Sequence, residues 1–188
     1  MAKRSDFHLR PLEEADRELL FRWRNAERVR QAMFTDHLLS WEEHVSWFDA
    51  ALRAPEESRV MVFEHRSRPL GIVTANAIDR KNGRCNWGFY LGETDVPRGS
   101  GTIMGYLGLR HLFETLGIRK VCGECFRTNE RSVRFHERLG FSREGLFRRH
   151  HLKNDIYEDV VAFAMFRDDW PLRRQEIEHL CFNEERTP

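Results

Sequence analysis

The chain has 188 residues and a net charge of +1, which suits one domain with a sizeable core and argues against a nucleic-acid coat, while leaving room for local basic patches. The opening Met-Ala-Lys-Arg-Ser-Asp carries no apolar run, and the longest such run, Val160 to Phe166, is far too short to cross a bilayer. The expectation is a cytoplasmic protein with no secretory signal, no membrane partner and no nucleic-acid partner.

Phe7-His8-Leu9-Arg10 reads as a short strand ending at Pro11. From Glu13 to Arg24 the apolar residues Leu19, Leu20 and Trp23 recur near helical spacing, with the acids Glu13, Glu14 and Asp16 at the N-terminal end, where they complement the helix dipole. Ser40-Trp41-Glu42-Glu43 is a capping box, so a helix follows to about Arg53. Ser58 to His65, rich in Val, Met and Phe, reads as a strand; Arg68-Pro69 makes the turn; Leu70 to Ile78 is the next strand, and Lys81-Asn82-Gly83 is a hairpin signal. Cys85 to Leu91 is a fourth, aromatic-rich strand. Thr102 to Leu116 is helical with Gly117 as its stop, Arg119 to Phe126 is a strand, and Asn129 to Leu139 is a helix stopped by Gly140. Two strands, Phe141 to Leu152 and Ile156 to Phe166, are joined through Lys153-Asn154-Asp155. A short helix from Leu172 to Phe182 precedes a frayed tail. With no repeat, linker or low-complexity tract, residues 1–170 read as a single domain and 171–188 as a C-terminal extension.

This order is an antiparallel meander, then strand-helix-strand, then a helix and a hairpin: an α/β chain with a mixed sheet. The crossover makes the fourth and fifth strands parallel, and ligands in such sheets favour the carboxyl ends of parallel strands. Gly99-Ser100-Gly101 lies at that end of the fourth strand. The amides from Gly99 through Thr102 to Ile103 would point at a pyrophosphate, helped by the helix dipole and by Arg98. The turn lacks the Lys of a P-loop, and Met104 stands where a dinucleotide fingerprint needs its third glycine. Asn129, Ser132 and His136 fall on one face of the later helix, where Asn129 also reads as a plain N-cap.

Cys122-Gly123-Glu124-Cys125 matches C-x-x-C, yet on a strand the two thiols point to opposite faces, which opposes a zinc knuckle and a redox pair. His150-His151 likewise face opposite sides, and no other histidine shows ligand spacing, so no metal is expected.

The glycine turn and the Asn helix together resemble the GCN5-related N-acetyltransferase (GNAT) superfamily, over about Phe7 to Trp170. The family's pyrophosphate loop, Gln/Arg-x-x-Gly-x-Gly/Ala, is matched by Val96-Pro97-Arg98-Gly99-Ser100-Gly101, with Val96 as the departure. The closing pattern, Asn-x-x-Ser/Ala through Glu-Lys/Arg-x-Gly-Phe, is matched by Asn129, Ser132, Glu137, Arg138, Gly140 and Phe141. The resemblance implies the GNAT fold, a mostly antiparallel sheet of about seven strands flanked by about four helices, acetyl-CoA as co-substrate, and direct attack of an amine with no acyl-enzyme.

A narrower resemblance is to the acetyltransferases of pseudaminic acid biosynthesis, carried by Trp23-Arg24-Asn25, Val29 to Phe34, Glu42 to Trp47, Trp87 to Leu91, Glu144-Gly145 and Tyr157 to Val160. It implies a nucleotide-sugar partner, a UDP-linked 4-amino-4,6-dideoxy sugar on the route to flagellin glycosylation. Ribosomal-protein N-terminal acetyltransferases share the carboxyl half, and a non-catalytic acetyl-CoA sensor or immunity protein is a third alternative; a homodimer is left open. On this reading an amide near Leu91 is the oxyanion donor, Glu124 the base with a pKa raised by strand burial, and His136 the acid, in the place where many relatives carry Tyr. Thr74 and Tyr90 line the cleft toward the sugar, and Arg30, Met33 and Phe34 take the nucleotide.

Overall fold

The computed structural model describes residues 3–35, 37–54, 56 and 58–182; the tail beyond Phe182 lies outside them. Seven strands form one sheet: β1 (Phe7–Pro11), β2 (Arg59–His65), β3 (Arg68–Asp79), β4 (Arg84–Leu91), β5 (Lys120–Phe126), β6 (Ser142–Lys153) and β7 (Ile156–Phe166), in the order β1-β2-β3-β4-β5-β7-β6. The β4–β5 pair is parallel and every other neighbour is antiparallel. The described residues include six α-helices, against the four or so expected: α1 (Arg17–Asn25), α2 (Glu27–Arg30), α3 (Trp41–Arg53), α4 (Ser100–Arg110), α5 (Glu130–Arg138) and α6 (Trp170–Phe182).

Alternation along the strands splits the apolar residues between two faces. Phe63, Val73, Ala75, Cys85, Trp87, Val121 and Cys125 pack beneath α4, α5 and α6. Val60, Val62 and Ile72 face the other way and are covered by Leu20 and Trp23 of α1 and Phe48 of α3. The start of α1 is pinned by a buried ion pair: Asp16, 3% exposed, accepts Nη1 and Nη2 of Arg10, each at 2.7 Å, and the Glu13 amide at 2.9 Å. The capping box of α3 forms as expected, with the Ser40 hydroxyl accepting the Glu43 amide at 3.1 Å and the Glu43 carboxylate accepting the Ser40 amide at 2.7 Å.

Three expectations change. The β2–β3 turn is Arg66-Ser67, with φ of 51° and 62°, not Arg68-Pro69. Pro69 already lies on β3, opposite Glu64 at a register shift, where the ladder tolerates a residue without N–H. The central helix begins at Ser100 and widens into a π-turn over His111–Thr115 before Gly117, φ 65°, ends it. Finally, α6 is no appendage. Trp170 and Ile177 are buried in the main core, the Trp170 indole donates to Glu114 at 2.8 Å, and Tyr106 of α4 packs between Trp170 and Phe182 at 6.2 and 6.0 Å.

Candidate active site

The parallel pair of strands holds together over only Arg84↔Lys120, Cys85↔Val121 and Asn86↔Cys122. Beyond Asn86, β4 stays paired to β3 as far as Leu91↔Gly71, and β5 stays paired to β7 as far as Phe126↔Val160. A gap therefore opens toward the carboxyl ends of both strands. The Gly92 amide donates to the Leu70 carbonyl at 2.8 Å. Because hydrogen-bonded and non-bonded pairs alternate in an antiparallel ladder, the main-chain groups of Leu91 and Phe89 turn away from β3 toward the gap. The Leu91 carbonyl accepts Arg28 Nη1 at 2.8 Å from that side, so the Leu91 N–H points the same way, as an oxyanion donor must.

The glycine turn sits beside this gap. Gly99 has φ of 87°, a left-handed conformation that swings the chain into α4. Ser100 and Ile103, expected among the phosphate donors, are spent within the fold. The Ser100 amide and hydroxyl both donate to the Pro97 carbonyl, at 3.1 and 2.6 Å, and the Ile103 amide donates to Gly99 at 3.1 Å. Ser100 is a staple for the loop, its side chain 1% exposed. The amides of Gly99, Gly101 and Thr102 have no acceptor among the described residues. A Cβ on Gly101 would meet only Leu91 Cδ1, at 3.9 Å, so the space over these amides is open. Arg98 is exposed and makes no ion pair among the described residues. Three free amides, a helix N-terminus and a loose cation fit the diphosphate of coenzyme A.

On α5, Asn129 Oδ1 accepts the Ser132 amide at 3.1 Å, the N-cap role. Asn129 and Ser132 are both half-buried, and the Ser132 hydroxyl lies beside the Cys125 thiol. His136 does not fit the acid role. It is 2% exposed, and the Trp87 indole, which can only donate, gives its Nε1–H to His136 Nε2 at 3.2 Å. That bond fixes the tautomer: Nδ1 carries the proton and donates to the Ser132 carbonyl at 2.8 Å. Both ring nitrogens are engaged, and the ring stacks on Phe163 at 4.7 Å. Burial holds its pKa below the ordinary imidazole value. Gly123 makes this packing fit, since a Cβ there would stand 2.7 Å from His136 Nε2 and 2.8 Å from Trp87 Nε1.

Glu124 follows Gly123 and so points to the opposite face of β5. The expected strand burial is not found: Glu124 is exposed, and it makes no salt bridge among the described residues. It shares its face with Phe126, whose ring meets that of Phe34 at 4.9 Å. Thr74 and Tyr90 lie on the same side, where Thr74 pairs with Gly88, would clash with a Cβ there at 2.8 Å, and accepts the Asn76 amide at 3.0 Å. Tyr90 packs against the α1 cluster, and burial raises the pKa of its hydroxyl. Arg30 and Met33 are half-buried and Phe34 is 36% exposed. The structure thus brings Thr74, Tyr90, Glu124 and the segment after α2 to one face, opposite α4, with the gap leading through to the glycine turn.

Arg24 was not singled out from sequence as a site residue. It lies near both Tyr90 and Arg30; burial, and then the Arg30 charge, lower its pKa while Tyr90 acts the other way. Its Nη1 is buried with no hydrogen-bond partner among the described residues. The signal for it was only that Trp23-Arg24 ends a helix whose apolar side is committed by Leu20 and Trp23.

Residues 6–142 match the model of the acetyltransferase (GNAT) domain. The chain is 32% identical over 128 residues, 67% of its length and 71% of the relative's, to an SPbeta prophage-derived uncharacterized N-acetyltransferase, YokL, of Bacillus subtilis. It is 23% identical over 125 residues, 66% of its length and 76% of the relative's, to the acetyltransferase PseH of Campylobacter jejuni. In fold it is similar to a spermidine N-acetyltransferase from Vibrio cholerae solved with CoA and spermine, with a TM-score of 0.82 at 18% identity over 89% of this chain and 99% of the other.

Proposed function

The chain belongs to the GNAT acetyltransferase family and is an acetyl-CoA-dependent N-acetyltransferase; within that family we propose that its acceptor is the 4-amino group of a UDP-linked 4-amino-4,6-dideoxy sugar, the step that leads to pseudaminic acid and flagellin glycosylation. The observation that carries this reading is Arg24 on the acceptor face, near Tyr90 and Arg30, with a buried guanidinium nitrogen that has no hydrogen-bond partner among the described residues. The Arg24 guanidinium there suits a diphosphate. It would repel a polyamine, and a peptide N-terminus offers it nothing. Phe34 and Met33, which follow Arg30, supply apolar surface for a base, and the similarity to PseH points the same way.

Acetyl-CoA supplies an activated thioester. On this reading the amides of Gly99, Gly101 and Thr102, with Arg98, grip its diphosphate, and Asn129 and Ser132 add polar contacts from α5. The Leu91 amide stabilises negative charge that develops on the acyl oxygen in the gap. Glu124 accepts the proton that the attacking amine must lose, directly or through water. His136 holds no proton it can release toward the gap, so the departing thiolate takes its proton from solvent or from the one Glu124 has gathered. Holding acceptor and thioester side by side supplies much of the rate.

A thiol-release assay with acetyl-CoA and three acceptor sets, UDP-4-amino-4,6-dideoxy sugars, spermidine, and ribosomal-protein N-terminal peptides, tests the assignment. Turnover is expected with the nucleotide sugars. Turnover confined to spermidine or to peptides would replace the sugar reading, and acetyl-CoA binding without turnover on any acceptor would favour a sensor.

A further inference from the structure

The β6–β7 hairpin takes no part in the chemistry above, yet its end is bound to the acceptor segment. Lys153 is the last residue of β6, and Asn154 and Asp155, with φ of 48° and 62°, make the two-residue turn to Ile156. Consecutive positive φ values of this kind match the twist of the flanking strands and fix the register. The Lys153 ammonium is thereby carried to the end of α2, where it donates to the carbonyls of Gln31 at 2.7 Å, Arg30 at 3.3 Å and Met33. It also lies over the Phe126 ring, 4.9 Å from the centroid. Two residues earlier, His151 Nε2–H donates to the Phe34 carbonyl at 2.9 Å, and its ring lies 5.0 Å from Phe34 and 5.7 Å from Phe126.

These contacts matter because the segment's own main-chain bonds are short-range. A four-residue helix such as α2 is not stable by itself, and its last carbonyls have no intrahelical donors. Beyond it, the segment's own main-chain bonds are single turns, Ala32 to Val29 at 3.0 Å and Met33 to Arg30 at 3.1 Å. An ammonium has three N–H groups and suits three converging carbonyls, as a cation near a helix C-terminus does in general.

We propose that Lys153 and His151 are positioning residues for the acceptor: the hairpin end is a clamp that sets the shape of residues 30–34 and seats them against Phe126, two residues along the same face from Glu124. The inference rests on the reading that Arg30, Met33 and Phe34 meet the acceptor, so its test includes a measurement that needs no acceptor. Lys153→Met keeps length and packing but removes the donors; His151→Phe keeps the ring cluster but removes the Nε2–H.

Hydrogen exchange followed by mass spectrometry should show residues 30–35 of Lys153→Met exchanging about 10-fold faster or more, with residues 100–110 unchanged. UDP, used as the probe, should bind about 10-fold more weakly, the acceptor KM should rise by a similar factor, and kcat and the acetyl-CoA KM should stay within about 3-fold. His151→Phe should move the same quantities less, and Lys153→Arg should recover part of the loss. Unchanged exchange in residues 30–35, or an equal rise in both KM values, overturns the clamp. If the wild-type protein fails to bind UDP, the nucleotide-sugar reading falls and the exchange result alone decides the clamp.

Discussion

Trp87 and His136 meet through a buried hydrogen bond, indole Nε1–H to imidazole Nε2 at 3.2 Å, that passes directly over Gly123. The three residues come from β4, α5 and β5, so the bond ties α5 to the two strands that part at the active-site gap. His136, expected as an acid, is here a fastener between these elements.

His136→Phe should therefore cost stability more than chemistry. The ring volume survives, but the Trp87 N–H is left buried and unpaired, a loss of about 1–3 kcal/mol. Urea unfolding should report that loss, while thiol release at saturating substrates stays within about 3-fold of wild type.

The same residue gives a pH signature. Burial holds the pKa of both His136 and His44 below the ordinary value of 6.5. Below that value the unfolded chain binds protons that the folded chain refuses, so stability falls as the pH drops, and above it neither state binds them and the dependence vanishes. Unfolding free energies measured between about pH 5 and 8 should show this slope, shallower in His136→Phe.

Gly123→Ala should be among the most damaging small changes in the protein. Its methyl group would sit 2.7 Å from one partner of the buried bond and 2.8 Å from the other. Both rings are buried, 5% exposed for Trp87 and 2% for His136, and a loss of about 1–3 kcal/mol is expected in thermal or urea unfolding.

Gly101→Ala should move stability and ligand affinity in opposite directions. The fold leaves the added methyl in open space, 3.9 Å from Leu91 Cδ1, and alanine in a first helical turn stabilises by up to about 1 kcal/mol. The methyl would intrude over the free amides, so acetyl-CoA affinity by calorimetry should fall while the melting temperature holds or rises.

Glu124→Gln and Arg24→Leu separate the two halves of the acceptor chemistry. Glu124→Gln should lower kcat by about 10²-fold, the lower end of general-base effects, with acetyl-CoA affinity unchanged; an unchanged rate would assign the proton to water alone. Arg24→Leu should raise the nucleotide-sugar KM by about 10-fold or more and spare kcat, since a charge-assisted bond to phosphate contributes about 1.5–3 kcal/mol.

Local chemistry explains what the sequence made legible. The Ser40 capping box, the Asn129 cap, the glycine turn at Gly99 and the helix stops at Gly117 and Gly140 are short-range signals, and each lies where it was expected. What remained hidden depends on distant partners. Ser100 could not be told from Gly101 as a phosphate donor until its hydroxyl was seen folded back on Pro97. His136 needed Trp87, from another strand, to reveal its tautomer. Glu124 was read as buried because a strand's neighbours in sequence do not say which face is covered. The Arg66-Ser67 turn carries neither glycine nor asparagine, so nothing local announced its left-handed backbone.

The seating of α6 has a consequence for biosynthesis. That helix follows every strand in the chain, yet Trp170, Ile177 and Phe182 cover the outer side of α4 and its Tyr106. While a ribosome is still extruding them, α4 presents a bare, sticky flank with an otherwise finished sheet behind it. The core closes over α4 only when α6 arrives, so truncations or fusions that displace Ile177 should yield aggregates rather than a smaller enzyme.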